Sequence, residues 1–145
     1  MQIRKYIQAD LSRLASIYDA SRPDEFYAEE GDFKFIPWAE DEYIMSILGE
    51  SEIYVYEDGA IFGFCGFTEN HIHWLFVDPA NRGNGVGSKL LSFVLSKLNS
   101  NATLTVWKSN ERAKTLYKKH GFYVSRVFSV NFQEREILVN TMACI

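Results

Sequence analysis

Apolar positions first recur at helical spacing, then alternate, then return to helical spacing. QIRKYI at residues 2–7 predicts a short first strand. In ADLSRLASIYDA, Leu11, Leu14, Ala15, Ile17 and Tyr18 share one helical face, with Asp10 as the expected N-cap. Residues 21–37 hold acids and aromatics without period and read as a long irregular segment. WAEDEYIMSILG predicts a second helix closed by Gly49. The period then becomes two. EIYVYED and AIFGFCGFTEN predict strands joined at Asp58-Gly59, a hairpin signal, and HIHWLFVD a third strand ended by Pro79. Leu90, Leu91, Val94, Leu95 and Leu98 form the stripe of a third helix. ATLTVW predicts a buried strand. SNERAKTLYKKHG predicts a helix capped by Ser109 or Asn110 and stopped at Gly121. FYVSRVFSV and EILVNTMAC predict two closing strands, antiparallel to each other.

The expected order is β-α-α-β-β-β-α-β-α-β-β, an α/β (α+β) fold with a mixed sheet, in one domain over residues 1–145. No repeat or linker interrupts it. Cys65 and Cys144 match no metal or disulfide spacing, which points to a reducing compartment. The N-terminus lacks a signal-peptide core, and the most apolar run, IFGFCGF, is too short to span a bilayer. A soluble, cytoplasmic protein with no membrane partner is expected.

Charge is divided unevenly. Residues 1–79 hold five Lys+Arg against 16 Asp+Glu; residues 80–145 hold ten against three. Either the halves attract each other across the fold, or the C-terminal half takes an anionic ligand and the N-terminal half a cationic one. The acidic total and the lack of a dense basic run argue against nucleic acid.

VDPANRGNGVGSKL (77–90) raises the chemical question, with glycines at 83, 85 and 87 between a strand and a helix. The P-loop spacing fails because Ser88 separates Gly87 from Lys89. The dinucleotide fingerprint fails because Ser88 stands where its third glycine belongs and residues 103–110 contain no acid. An R-x-x-G-x-G reading fits Arg82, Gly85 and Gly87. Bare amides at a helix N-terminus would seat a pyrophosphate. A turn that merely packs helix against sheet is the structural alternative.

Taken with TLTVWKSNERAKTLYKKHGF and the preceding hairpin, HIHWLFVDPANRGNGVGSKLL resembles the acetyl-CoA-binding block of the GNAT superfamily of N-acetyltransferases. The resemblance covers most of the chain and is weakest at residues 21–50. It implies a mostly antiparallel central sheet flanked by helices, with acetyl-CoA as co-substrate and no metal. Backbone groups of Leu75, Phe76 and Val77 would align the pantetheine arm and polarise the thioester carbonyl. Amides of Arg82, Gly83, Asn84, Gly85, Val86, Gly87 and Ser88 would hold the pyrophosphate, with a charge from Arg82 and a hydroxyl from Ser88. Asn110 would contact the pantetheine, cap its helix, or do both.

The implied reaction is direct attack of an amine on the thioester. Tyr117, seven residues after Asn110, is the expected general acid and a cofactor contact; core packing is its alternative role. His71 and His73 alternate on one strand, and His73 matches the commoner carboxylate position of the family. A base role for His73 competes with a purely structural one and with a water chain. Thr105 stands where ribosomal-protein N-terminal acetyltransferases usually carry glutamate, which weighs against that acceptor.

Asp24, Glu25, Glu29, Glu30 and Asp32 lie among Phe26, Tyr27, Phe33, Phe35 and Trp38, where the family borders its acceptor cleft. A cationic small-molecule amine would suit an acidic, aromatic pocket; an ordinary solvated loop is the alternative. A protein N-terminal or lysine acetyltransferase, and a non-catalytic acyl-CoA sensor, also fit. Monomer and homodimer are both compatible with the sequence.

Overall fold

The computed structural model describes residues 1–26, 29, 33–98 and 101–144. Seven strands form one sheet: β1 (Gln2–Lys5), β2 (Glu52–Glu57), β3 (Ile61–Thr68), β4 (His71–Val77), β5 (Ala102–Trp107), β6 (Tyr123–Phe132) and β7 (Arg135–Cys144). Among the described residues four α-helices accompany them: α1 (Leu11–Ser21), α2 (Glu42–Leu48), α3 (Val86–Lys97) and α4 (Glu111–Lys119). The spatial order is β1-β2-β3-β4-β5-β7-β6. Every neighbouring pair is antiparallel except β4 and β5.

Each sheet face carries its own core. On one, Leu14, Ile17 and Tyr18 of α1 and Ile44 of α2 pack on Ile53, Val55, Phe64, Trp74 and Phe76. On the other, Leu90, Leu91 and Val94 of α3 and Tyr117 of α4 pack on Tyr54, Tyr56, Cys65, Leu104 and Met142. Strand β2 feeds both cores, which explains its four consecutive buried residues, Ile53 to Tyr56. Fully buried side chains such as Leu14 and Leu90 each contribute about 1.5–3 kcal/mol through removal from water.

Strand β4 does not alternate as its sequence suggests. Gly66 lies opposite Trp74, but Phe67 lies opposite Ile72, so His73 is an extra residue bulged out of the pairing. The bulge reverses which face the following side chains meet. Ile72 therefore joins the α3 core, whereas Trp74 and Phe76 join the α1 core.

Three local expectations are corrected. Asp10 does not cap α1 with its side chain; it accepts from the Ile7 amide at 2.8 Å and from Arg4 at 2.9 and 3.2 Å. Two charge-assisted bonds from the Arg4 guanidinium and one from the Ile7 amide outweigh a single cap to an amide of α1. The second helix is shorter than expected, because residues 38–40 form a separate 3-10 turn and Asp41 accepts from the Ile44 amide. Gly49 ends it with φ −68°, not in the left-handed region. No helix among the described residues is long and apolar enough to cross a membrane.

Candidate active site

The parallel pair β4–β5 is matched only at His71↔Thr103 and Ile72↔Leu104. Beyond that point the strands diverge, and a cavity of about 760 Å³ opens between them. Leu75, Phe76 and Val77 line one wall and Thr105, Val106 and Trp107 the other. The pairing of β4 with β3 continues to Val77, so only the β5-facing edge of β4 is released. An extended ligand could add to that edge as a strand does. The Phe76 side chain is buried against Tyr18 and Phe64, and its backbone faces Phe64 of β3, so the expected Phe76 contact is corrected: Leu75 and Val77 present the backbone of the released edge.

The glycine stretch closes one end of the cavity. Gly83 and Gly85 hold φ +84° and +79°, a left-handed backbone that other residues adopt only at a cost. A methyl group at either would meet no heavy atom within 4 Å, which leaves open space over the loop. Gly85 is the N-cap of α3 and brings no side chain to its first amides. Those free N–H groups and the helix dipole make a seat that fits a pyrophosphate. Arg82, Gly83, Gly85, Val86, Gly87 and Ser88 all line the cavity. Gly87 also answers the packing alternative, because its Cβ would lie 3.4 Å from Leu116 Cδ2 and 3.5 Å from Val77 Cγ2.

Other residues of the stretch are committed elsewhere. The Val86 side chain is in the core, so only its backbone can face a ligand. Asn84 is not among the lining residues and donates to the Asn81 carbonyl at 3.5 Å. Ser88 Oγ lies 2.8 Å from His120 Nε2, a histidine that the sequence pattern did not single out. Arg82 pairs with Asp24 at 2.5 Å.

Tyr117 and Asn110 come to the cavity from α4. Asn110 Oδ1 accepts from the Ala113 amide at 3.3 Å and so caps the helix while lining the cavity. The Tyr117 ring packs on Phe122, and its phenol is pushed well up, first by burial and then by the negative charge available at Cys65 and Glu25. It therefore stays protonated at neutral pH.

His71 and His73 line the opposite end, with ring centroids 5.2 Å apart. Burial lowers the pKa of both below the usual imidazole value, and for His71 a charge on His73 lowers it further. Cys65 is fully buried and its thiol is pushed up to about 12, which leaves it inert as a nucleophile.

The acidic segment is less free than its composition suggests. Asp24 is held by Arg82 and Glu25 by Arg22. Glu25 still lines the cavity, as does Asp41, and burial raises the Glu25 carboxyl above its usual range despite Arg22. Trp38 and Phe35 contact Tyr18, and Phe33 meets Trp107 edge-on at 5.8 Å. Glu29 is described without a site contact, and only the backbone of Phe26 is described. Tyr27, Glu30 and Asp32 lie outside the described residues. Sequence reasoning missed Arg22, Asp41, Trp107 and Arg112 in the cavity wall. Only for Trp107 was there a signal, its place at the end of a strand.

Residues 49–124 match the family model of the acetyltransferase (GNAT) domain, more than half of the chain. The chain belongs to the GNAT acetyltransferase family. Two curated relatives are the peptidyl-lysine N-acetyltransferases YjaB. That of Escherichia coli K12 is 36% identical over 87 residues, covering 59% of this chain and 58% of the relative. That of Salmonella typhimurium is 40% identical over 63 residues, covering 43% of each. The chain thus spans less than two thirds of either relative. Among solved structures, YncA of Salmonella typhimurium, determined with its cofactor acetyl-CoA, superposes with a TM-score of 0.73 at 19% identity. It covers 99% of this chain and 92% of its own. At that identity the likeness concerns the GNAT fold alone.

Proposed function

We propose that the chain transfers the acetyl group of acetyl-CoA directly to a cationic amine. The observation that carries this reading is one cavity joining three features: the released edge of β4, the uncapped amides of α3, and Tyr117. The amides of residues 82–88 and the charge of Arg82 would hold the pyrophosphate. The edge at Leu75–Val77 would align the pantetheine and donate to the thioester oxygen. When bound, acetyl-CoA supplies an activated acyl carbon and a thiolate leaving group.

The reacting nitrogen enters as the neutral amine, having lost its ammonium proton to solvent, and His73 takes a further proton from it as its C–N bond to the acetyl group forms. The C–S bond breaks, and Tyr117 gives its phenolic proton to the departing sulfur. Solvent then restores both residues, and the products are the N-acetylamine and CoA. A buried phenol is a weak acid, but the thiolate forms in the same dry surroundings, which raise its proton affinity too. The inert Cys65 supports direct attack over an acyl-cysteine route. Alignment in such a cleft is worth about 7–11 kcal/mol in favourable systems.

Asp41 in the wall supports an acceptor that carries positive charge, whereas Glu25 is already paired with Arg22. A small polyamine-like cation fits this chemistry. A peptidyl lysine is the second reading, favoured by the named activity of the YjaB relatives. The test is CoA thiol release from acetyl-CoA against polyamines, aminoglycosides, amino acids and lysine peptides. Amine-dependent release supports transfer and identifies the acceptor class. Donor binding with no release across the panel would favour an acyl-CoA sensor.

A further inference from the structure

We propose that Thr68 is a positioning residue that fixes neutral His73 as its Nε2–H tautomer, leaving Nδ1 as the lone pair that receives the acceptor's proton. The inference rests on the proposed function, in which His73 is the base.

The tautomer follows from counting donors along one chain of hydrogen bonds. Ser51 Oγ lies 2.7 Å from the Ile47 carbonyl, which can only accept, so the Ser51 proton is committed there. Thr68 Oγ1 lies 3.2 Å from Ser51 Oγ and 3.4 Å from the Glu50 carbonyl. With the Ser51 proton used, both groups are acceptors. A Thr68 proton aimed at His73 Nε2 leaves both without hydrogen and satisfies one contact fewer than a proton aimed at them, which fills one of these contacts and leaves His73 Nε2 to donate. The oxygen of Thr68 then offers a lone pair to His73 Nε2, 3.0 Å away. That contact is a hydrogen bond only if Nε2 carries hydrogen. The opposite polarity, Ser51 to Thr68 to His73, forfeits the 2.7 Å bond to Ile47 and therefore satisfies one contact fewer.

The surroundings fit a base held by neutral groups. Among the described residues no ion pair reaches His73. His71 on the same strand is its titratable neighbour, 5.2 Å away, and is itself bonded through Nδ1 to Thr103 Oγ1 of β5 at 2.8 Å. Thr68 closes β3, and the carbonyls of residues 47 and 50 follow from the end of α2. His73 stands at the bulge, with its ring centroid 5.8 Å from that of Trp74. When His73 accepts a proton at Nδ1, its bond to Thr68 is kept and the ring need not turn.

The experiment is long-range 1H–15N NMR of the histidine rings in the full chain at about pH 8, with steady-state kinetics of Thr68→Val and Thr68→Ser. The wild type is expected to show Nε2 protonated and Nδ1 bare on His73. Thr68→Val keeps the shape and loses the hydroxyl; it should mix the tautomers and lower kcat about tenfold, with acetyl-CoA affinity unchanged. Thr68→Ser should restore both. A wild-type ring protonated at Nδ1 overturns the proposal, as does a Thr68→Val protein with wild-type tautomer and kcat. If the tautomer responds as expected but His73→Gln leaves turnover intact, the positioning by Thr68 stands and the base assignment alone falls.

Discussion

Asp24, just beyond α1, pairs with Arg82 of the glycine stretch at 2.5 Å across 58 residues of sequence. The acidic half of the chain thereby holds the one arginine of the stretch expected to meet phosphate. Asp24→Asn should release Arg82 and tighten acetyl-CoA binding. The pair is partly exposed, so a gain of about two- to fivefold is expected. Calorimetry at low and high salt checks it; weaker binding by the variant would mean that Asp24 orients Arg82 instead of competing for it.

Tyr117→Phe should lower kcat by about 100-fold, the lower range for a lost general acid, with donor affinity nearly unchanged. Because burial pushes the phenol up, Tyr117 contributes no alkaline limb near neutral pH. Equal turnover by the variant would assign Tyr117 to packing against Phe122.

His73 is neutral in the fold to a lower pH than a free imidazole, because burial penalises its cation. The acidic limb of kcat/KM should therefore fall below about pH 6.5. In His73→Gln that limb should flatten as activity drops. Stability carries the matching sign. Below about pH 6.5 the unfolded chain binds protons that folded His71 and His73 resist, so unfolding becomes easier as pH drops through that range. Denaturant midpoints at pH 8 and pH 5.5, compared with the double His→Gln variant, check this.

Gly85→Val would place a branched residue at φ +79° on the mouth of α3. A strain of about 1–2 kcal/mol is expected, together with at least a tenfold loss of acetyl-CoA affinity as the side chain fills the open space above the amides. Melting curves separate the two effects. Wild-type affinity in a destabilised variant would remove the phosphate from this loop.

Local signals reached most of the architecture. The Asp58-Gly59 turn, the Leu90–Leu98 stripe and the stop at Gly121, with φ +91°, are each decided within a few residues. What escaped depends on register or on distant partners. The run from His71 to Val77 alternates in sequence, yet the bulge at His73 sends Ile72 and Trp74 to opposite faces, and only pairing with β3 reveals it. Asp10 looks like a cap until Arg4 folds back onto it. Composition made residues 24 and 25 an acidic pocket, but it could not disclose the two arginines that hold them. His73 was legible as a candidate; Thr68 and Ser51 were not, because their role exists only once the end of β3, the approach to β2 and the bulge of β4 meet.

The divergence of β4 from β5 divides the sheet into two plates joined by two matched residue pairs. Along that seam the Val77 carbonyl accepts from Ser21 of α1 at 3.0 Å, and the β4 edge beyond Ile72 is not paired with β5. Under the proposed function the substrate supplies the missing rung, so saturation should rigidify the molecule as an extra strand would. At a hundredfold excess over Kd that linkage amounts to about 2.7 kcal/mol. Amide exchange should slow along β4 and β5 and change little in the β2–β3 hairpin. Under that reading the cleft is also a joint, whose rigidity follows the supply of the protein's own substrate.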